Sequence, residues 1–143
     1  DVPVGSAAGI ARFYSRVMGA PGEVENDAGS AVASITVGDG QRLRFRERTN
    51  PIPEYDGHHV AIYISDFGGP YERLLEHGLV SRENGTHEYR FQDIVDPDTG
   101  DMLFRIEHEV RSLTHPIYAR PLVNRNPAQQ QRTYVRGRDA YAA

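Results

Sequence analysis

Cysteine is absent from the 143 residues, which excludes a disulfide framework, a thiolate nucleophile and a cysteine-ligated zinc. Lysine is absent too. All 16 basic residues are arginine, and against 20 acidic ones they leave a net charge of −4, which argues against a bulk nucleic-acid or membrane binder. No run approaches the roughly 20 apolar residues of a membrane span, and the N-terminus lacks the basic-then-apolar order of a secretory signal. The expectation is a soluble, cytoplasmic protein. No serine sits in a nucleophile elbow, and no glycine-rich loop has the spacing of a phosphate or dinucleotide site. What is present is 38% apolar residues, enough for one domain to bury a core unaided.

Apolar spacing divides the chain into two similar runs of elements. Ile10, Phe13, Tyr14 and Val17 recur at i, i+3, i+4 and i+7, which predicts a helix from Ser6 to Met18 that Gly19, Pro21 and Gly22 terminate. Ala31 to Val37 and Gln41 to Arg48 read as strands joined by the turn Gly38-Asp39-Gly40. After a linker containing Pro51 and Pro53, His58 to Ser65 is a β-branched strand. A helix opens around Pro70 and closes at Gly78, with room for a short strand at 79–83. Tyr89 to Val95, the turn Asp96-Pro97-Asp98-Thr99-Gly100 and Met102 to Val110 complete the second run. The halves match in order, as an internal repeat of about 55 to 60 residues. The first has no obvious strand ahead of its helix: Val2 to Val4 is a remnant of one, or the strand has been lost, or a partner chain supplies that edge.

Phe13-Tyr14-Ser15-Arg16-Val17-Met18-Gly19-Ala20 resembles the first helix of vicinal-oxygen-chelate proteins, the superfamily of glyoxalases, bleomycin-resistance proteins and extradiol dioxygenases. Gly57 to Ile64 resembles the strand that opens their second module, and Asp96 to Gly100 the turn before its last strand. The resemblance spans residues 4 to 110. It implies an α+β fold in which paired βαβββ modules form a cupped mixed sheet with helices on the outer face, the first strand of module one being apparently missing. The modules would cover about 1–50 and 57–110, leaving 111–143 as an extended C-terminal arm. The arm's apolar residues Leu113, Ile117, Tyr118, Leu122 and Val123 would dock on the domain or on a second subunit, with the last dozen residues loosely held.

Metal-dependent members of that superfamily ligate a divalent ion from the first and last strands of the modules, which implies Fe, Mn, Zn or Ni here. His59 fits, because alternation puts Val60, Ile62 and Ile64 on the helix-packed face and His59, Ala61 and Tyr63 on the other. The alternative is a strand-end imidazole bonded to a carbonyl. The glutamate position of the last strand falls on Leu103, flanked by helix-facing Met102 and Phe104, whereas Glu107 lies further along the same face. In the first module, Arg44 takes the ligand place if Leu43 and Phe45 pack on the helix, and a bulge would instead bring Glu47 into register with Glu107. His59, Glu107 and Glu47 are therefore the candidate metal ligands, and Tyr63, Arg44 and Arg105 the candidate ligand-binding residues.

Other groupings read more simply. Glu107-His108-Glu109 with His115 has metal-binding residue types, yet nearby Arg111 makes salt bridges the simpler account. Arg42, Arg44, Arg46 and Arg48 form a period-two stripe, either solvated or gripping an anion inside a cup. Asn84-Gly85-Thr86 is a turn. Three readings of function follow: a metal-dependent lyase, isomerase or dioxygenase; a metal-free binding protein for a drug or aromatic acid on the same scaffold; or one piece of a larger assembly. The expected partners are a small-molecule ligand and a second copy of the chain in a homodimer.

Overall fold

The computed structural model of the chain describes residues 1–118; the part of the expected arm from 119 to 143, with Leu122 and Val123, lies outside the described residues. The elements are β1 Val2–Pro3, α1 Ala7–Phe13 continuing into a π-helical turn Tyr14–Met18, β2 Gly22–Asp27, β3 Ser30–Gly38 and β4 Gln41–Arg48. They continue with β5 His59–Ile64, α2 Gly68–Glu76, β6 Val80–Asn84, β7 Glu88–Val95 and β8 Met102–Ser112. Two four-stranded sheets form, in the orders β1-β4-β3-β2 and β5-β8-β7-β6. In each, the first strand pairs parallel to the fourth and the remaining pairs are antiparallel, so the repeat inferred from the sequence is a repeat of topology. The first strand is not missing. Val2 pairs with Glu47 and Pro3 with Arg48, and Val2 is fully buried; two residues are too few for any periodicity to reveal.

β2 carries no sequence signal because Gly22 to Asp27 has a single apolar side chain, Val24, which is half exposed. It is an edge strand held by its backbone ladder to β3, and its carboxylates suit an edge that must not attract other strands. In β3 and β4 the alternation resolves clearly. Ala33 and Ile35 pair with Phe45 and Leu43 and pack on the helix side, which sends Ser34, Arg42, Arg44 and Arg46 to the opposite face.

α1 holds the two sheets together. Its stripe Ile10, Phe13, Tyr14 and Val17 is buried, and Phe13 meets Phe91 of the second sheet at 5.8 Å between ring centroids. Each such aromatic contributes about 1.5–3 kcal/mol by burial. Close approach on one side depends on Gly9, where a Cβ would lie 2.5 Å from Leu103 Cδ1 and 3.0 Å from Asp96 Oδ2. Arg12 Nη2 donates to Asp96 at 2.5 Å and Arg16 Nη1 to Asp98 at 2.5 Å, so the turn before β8 clamps the first module's helix. The widened π-helical turn ends at Gly19, which has the left-handed φ of 68°, and Arg73 of α2 donates to the Val17 carbonyl at 2.8 Å.

A buried polar pair sits inside this contact. Tyr14 Oη donates to His108 Nε2 at 2.5 Å, and His108 Nδ1 lies 2.9 Å from the Ile106 carbonyl, which can only accept; the neutral Nδ1–H tautomer satisfies both. The imidazole stacks on Phe91 at 4.2 Å between centroids and is fully buried. Burial pulls its pKa down to about 4, the Ile106 carbonyl opposing weakly. A depressed histidine favours the fold while neutral, so its contribution is complete above the unfolded value near 6.5 and is lost as pH falls toward 4. Denaturant unfolding at pH 7.5 and pH 4.5 should show a His108 contribution of about 2–3 kcal/mol disappearing. A His108→Leu variant is expected to start less stable at pH 7.5 and to lose that part of the pH dependence; an unchanged slope would contradict the assignment.

Candidate functional site

The face of the second sheet turned away from the helices carries a concentrated set of charges. Its origin is alternation: Val60, Ile62, Phe91, His108 and Val110 take the helix side, leaving His59, Ala61, Tyr63, Glu88, Arg90, Gln92, Glu107, Glu109 and Arg111 on the other. Strand pairing aligns them in rows. Tyr63, Arg111 and Glu88 form one, Ala61, Glu109 and Arg90 the next, and His59 with Glu107 the third.

Arg90 is the centre of this face. Its Nε lies 3.0 Å from Glu88 Oε1, its Nη1 2.5 Å from Glu107 Oε1 and its Nη2 2.6 Å from Glu109 Oε2, so each nitrogen serves a different carboxylate. Arg111 donates to Glu109 and to Tyr63 Oη, the latter at 3.0 Å. Glu88 and Glu109 are buried and Arg90 is only 20% exposed at its side chain. Burial pushes the Glu107 carboxyl up, but hydrogen bonds from Arg90 and Gln92 and the Arg90 charge outweigh it, leaving the group below its usual range. Glu88 is likewise held low, burial being outweighed by Asn84, Arg90 and Arg111. His59 Nε2 stands 3.8 Å from Glu109 Oε2 on the open side, with the imidazole about half exposed. Beyond these charges, the Tyr63 ring contacts Tyr118 at 5.1 Å and His115 at 6.2 Å, and His115 Nε2 reaches to 3.6 Å from Glu88.

The residues singled out in the sequence therefore separate. His59, Glu107 and Tyr63 share this face. Glu47 does not: the first-module register has no shift in this stretch, so it follows Phe45 to the helix side, where its Oε1 accepts the Ala7 amide of α1 at 2.9 Å. Leu103 departs from its expected place and packs toward Gly9, because the β7–β8 register shifts between Ile94 and Val95; Met102, expected to face a helix, is 58% exposed. Arg44 occupies the outward face as one of the two registers required, where Glu25 and Asp27 neutralise it at 3.1 and 3.0 Å. Arg105 is engaged by both oxygens of Asp93 at 2.6 and 3.2 Å. Arg90 and Glu88 were not among the candidates, although Glu88, Arg90 and Gln92 alternate with Tyr89 and Phe91 in a strand whose polar face the spacing displays; Glu109 forms the ion pair with Arg111 that the sequence suggested.

These residues do not fit a divalent ion. Three carboxylates and an imidazole converge, but the point of convergence is filled by a guanidinium whose nitrogens already take up their oxygens. Among the described residues no group of three or more histidines and carboxylates is placed to hold a metal.

The sequence matches no family model and no curated protein. Solved structures do resemble it. A glyoxalase family protein from Bacillus anthracis superposes with a TM-score of 0.53 at 18% identity over 77% of this chain and 86% of that one. The fold is the glyoxalase fold. A lactoylglutathione lyase from Agrobacterium tumefaciens also aligns, with a TM-score of 0.46 at 19% identity over 74% of this chain and 84% of that one. On the glyoxalase fold found here, the two repeated modules are the two sheets described above, as the vicinal-oxygen-chelate motifs led one to expect.

Removing Arg90 leaves three clustered carboxylates without their shared cation. Arg90→Met should cost about 3–5 kcal/mol at pH 7 by denaturant unfolding, as for other buried pairs broken on one side. The loss should shrink below pH 4.5, where the carboxyls protonate in the unfolded chain and the wild type forfeits the same interactions. A variant as stable as wild type at pH 7 would mean that the network is solvated and energetically idle.

Proposed function

We propose that this chain is a small-molecule-binding protein on the glyoxalase fold that handles its ligand without a catalytic divalent ion. The observation that carries the proposal is the Arg90 guanidinium held between Glu88, Glu107 and Glu109 beside His59. A fixed organic cation there neutralises the carboxylates that a metal would need, and a second positive charge would have to compete with it at contact distance. The same face offers recognition groups of other kinds. Tyr63 presents an aromatic ring beside Tyr118, and His59 is an accessible imidazole next to an ionised carboxylate. These suit binding by stacking and hydrogen bonding.

The metal-dependent lyase, isomerase or dioxygenase reading is the rival, supported by the strand pairing that sets His59 beside Glu107. Titration of the purified protein with Mn²⁺, Fe²⁺, Ni²⁺ and Zn²⁺, read by thermal melting and by metal retained after desalting, separates the two. The expected result is an unchanged melting temperature and no retained metal. Retention of one equivalent that disappears in a His59→Ala variant would reject the metal-free reading.

Pairing into a homodimer belongs to the same proposal. β2 and β6 each end a sheet, and Val24 on β2 is half exposed. Light scattering of the purified protein should give twice the chain mass; a monomer at micromolar concentration would remove this part.

A further inference from the structure

A hollow apart from that face lies where β8 runs ahead of its partner. β5 pairs with β8 only from Glu107 onward, so among the described residues Met102 to Ile106 pair with no strand on that side. Residues 50–58 pass in front of this open edge, and the space between is a cleft of about 510 Å³. Such a volume is in the range of small-molecule pockets.

Its surfaces are of two kinds. Ile52, Leu103 and Phe104 line it, and Met102 adds a side chain that is 58% exposed, an unusual position for a large thioether without a partner. Tyr55 contributes an aromatic wall, its ring 5.5 Å from that of His58. The charges at the rim are acidic. Glu54 and Asp56 line the cleft, and Glu54 has no ion-pair partner among the described residues. The arginine nearby is already engaged, Arg105 gripping both oxygens of Asp93, and His58 Nδ1 lies 2.5 Å from Asp56 Oδ1. Asp1, also on the lining, meets Arg48 at 3.4 Å. Among the described residues the cleft therefore combines an apolar floor and one aromatic face with a carboxylate, Glu54, that no cationic side chain pairs.

We propose that this cleft binds a small planar aromatic cation, its ring lying between Tyr55 and the Met102–Phe104 edge and its positive charge facing Glu54. Burial of the ring against Met102 and Phe104 supplies the attraction, sulfur–aromatic contact and cation–π attraction to Tyr55 favour a flat, positively charged ring, and the carboxylates reject anions. This goes beyond the small-molecule reading, on whose scaffold it rests, by adding a second site apart from the Tyr63–His59 face and the chemical class of its ligand.

The probe is 9-aminoacridine, followed by its fluorescence, with acridine-9-carboxylate as the anion of the same shape. The cation is expected to bind saturably at one site and at least about tenfold tighter than the anion. Glu54→Gln with Asp56→Asn should weaken the cation about tenfold and reduce the preference, and Tyr55→Ala should weaken it by a similar factor. Glu54 and Asp56 are exposed and Tyr55 is partly buried, all in a linker outside the strands and helices, so unchanged circular dichroism is expected for the variants. Equal binding of both dyes, no binding of the cation, or cation binding indifferent to all three substitutions would overturn the cleft assignment. The metal titration above reports independently on the broader reading, so a failure of one is distinguishable from a failure of the other.

Discussion

The arrangement of this molecule rests on the seating of α1 between two sheets that do not otherwise share a strand ladder. The helix belongs to the first module by sequence, yet Phe13 and Tyr14 end on Phe91 and His108 of the second. The apolar contacts supply most of the attraction, but they are not directional. Direction comes from the Tyr14–His108 hydrogen bond, which tolerates one rotation of the helix about its axis, and from Arg12 and Arg16, which fix its position along the turn at Asp96 and Asp98. A different rotation would leave the Tyr14 hydroxyl and His108 Nε2 buried without a partner, at a cost of about 1–3 kcal/mol for each.

With the helix face committed to the core, the other face of the second sheet is free to be polar, and its composition decides what chemistry it can host. Glu88, Glu107 and Glu109 carry three negative charges against the two positive charges of Arg90 and Arg111. In a partly buried setting such an imbalance is tolerated because every carboxylate accepts from at least one guanidinium. The first sheet solves the same problem at its surface, where Arg44 and Arg46 meet Glu25 and Asp27. Among the described residues both sheets thus use arginine to neutralise their own carboxylates.

Much of this is legible in the amino-acid order itself. The helix stripe, the strands with β-branched alternation and the two-module repeat follow from period and turn residues, because burial on one face enforces those patterns. β1 and β2 are not legible: one is two residues long and the other almost wholly polar, so neither has a face to announce. Among candidate residues, His59 and Tyr63 fall on the expected face because a regular strand leaves no choice, and Glu107 keeps its face although the β7–β8 register shifts between Phe91 and Asp93. Leu103 and Glu47 turn on register. The first lies beside an irregularity that arises only when two strands pair; the second required a bulge that the β3–β4 ladder does not contain at that point. Arg90 can be read as outward-facing but not as central, since its three partners come from two strands and converge only in three dimensions.

The parallel pairing of β5 with β8 carries a topological corollary. His59 and Tyr63 enter the fold early in the second module, whereas Glu107, Glu109 and Arg111 arrive on its final strand. Until that strand slides into the gap between β5 and β7, the acidic and aromatic halves of the face have never met, and β7 exposes Glu88 and Arg90 on an unfinished edge. Closing a loop of this length costs chain entropy. The recognition surface of the module therefore depends on a pairing between strands far apart in sequence, and without β8 there is no such surface at all.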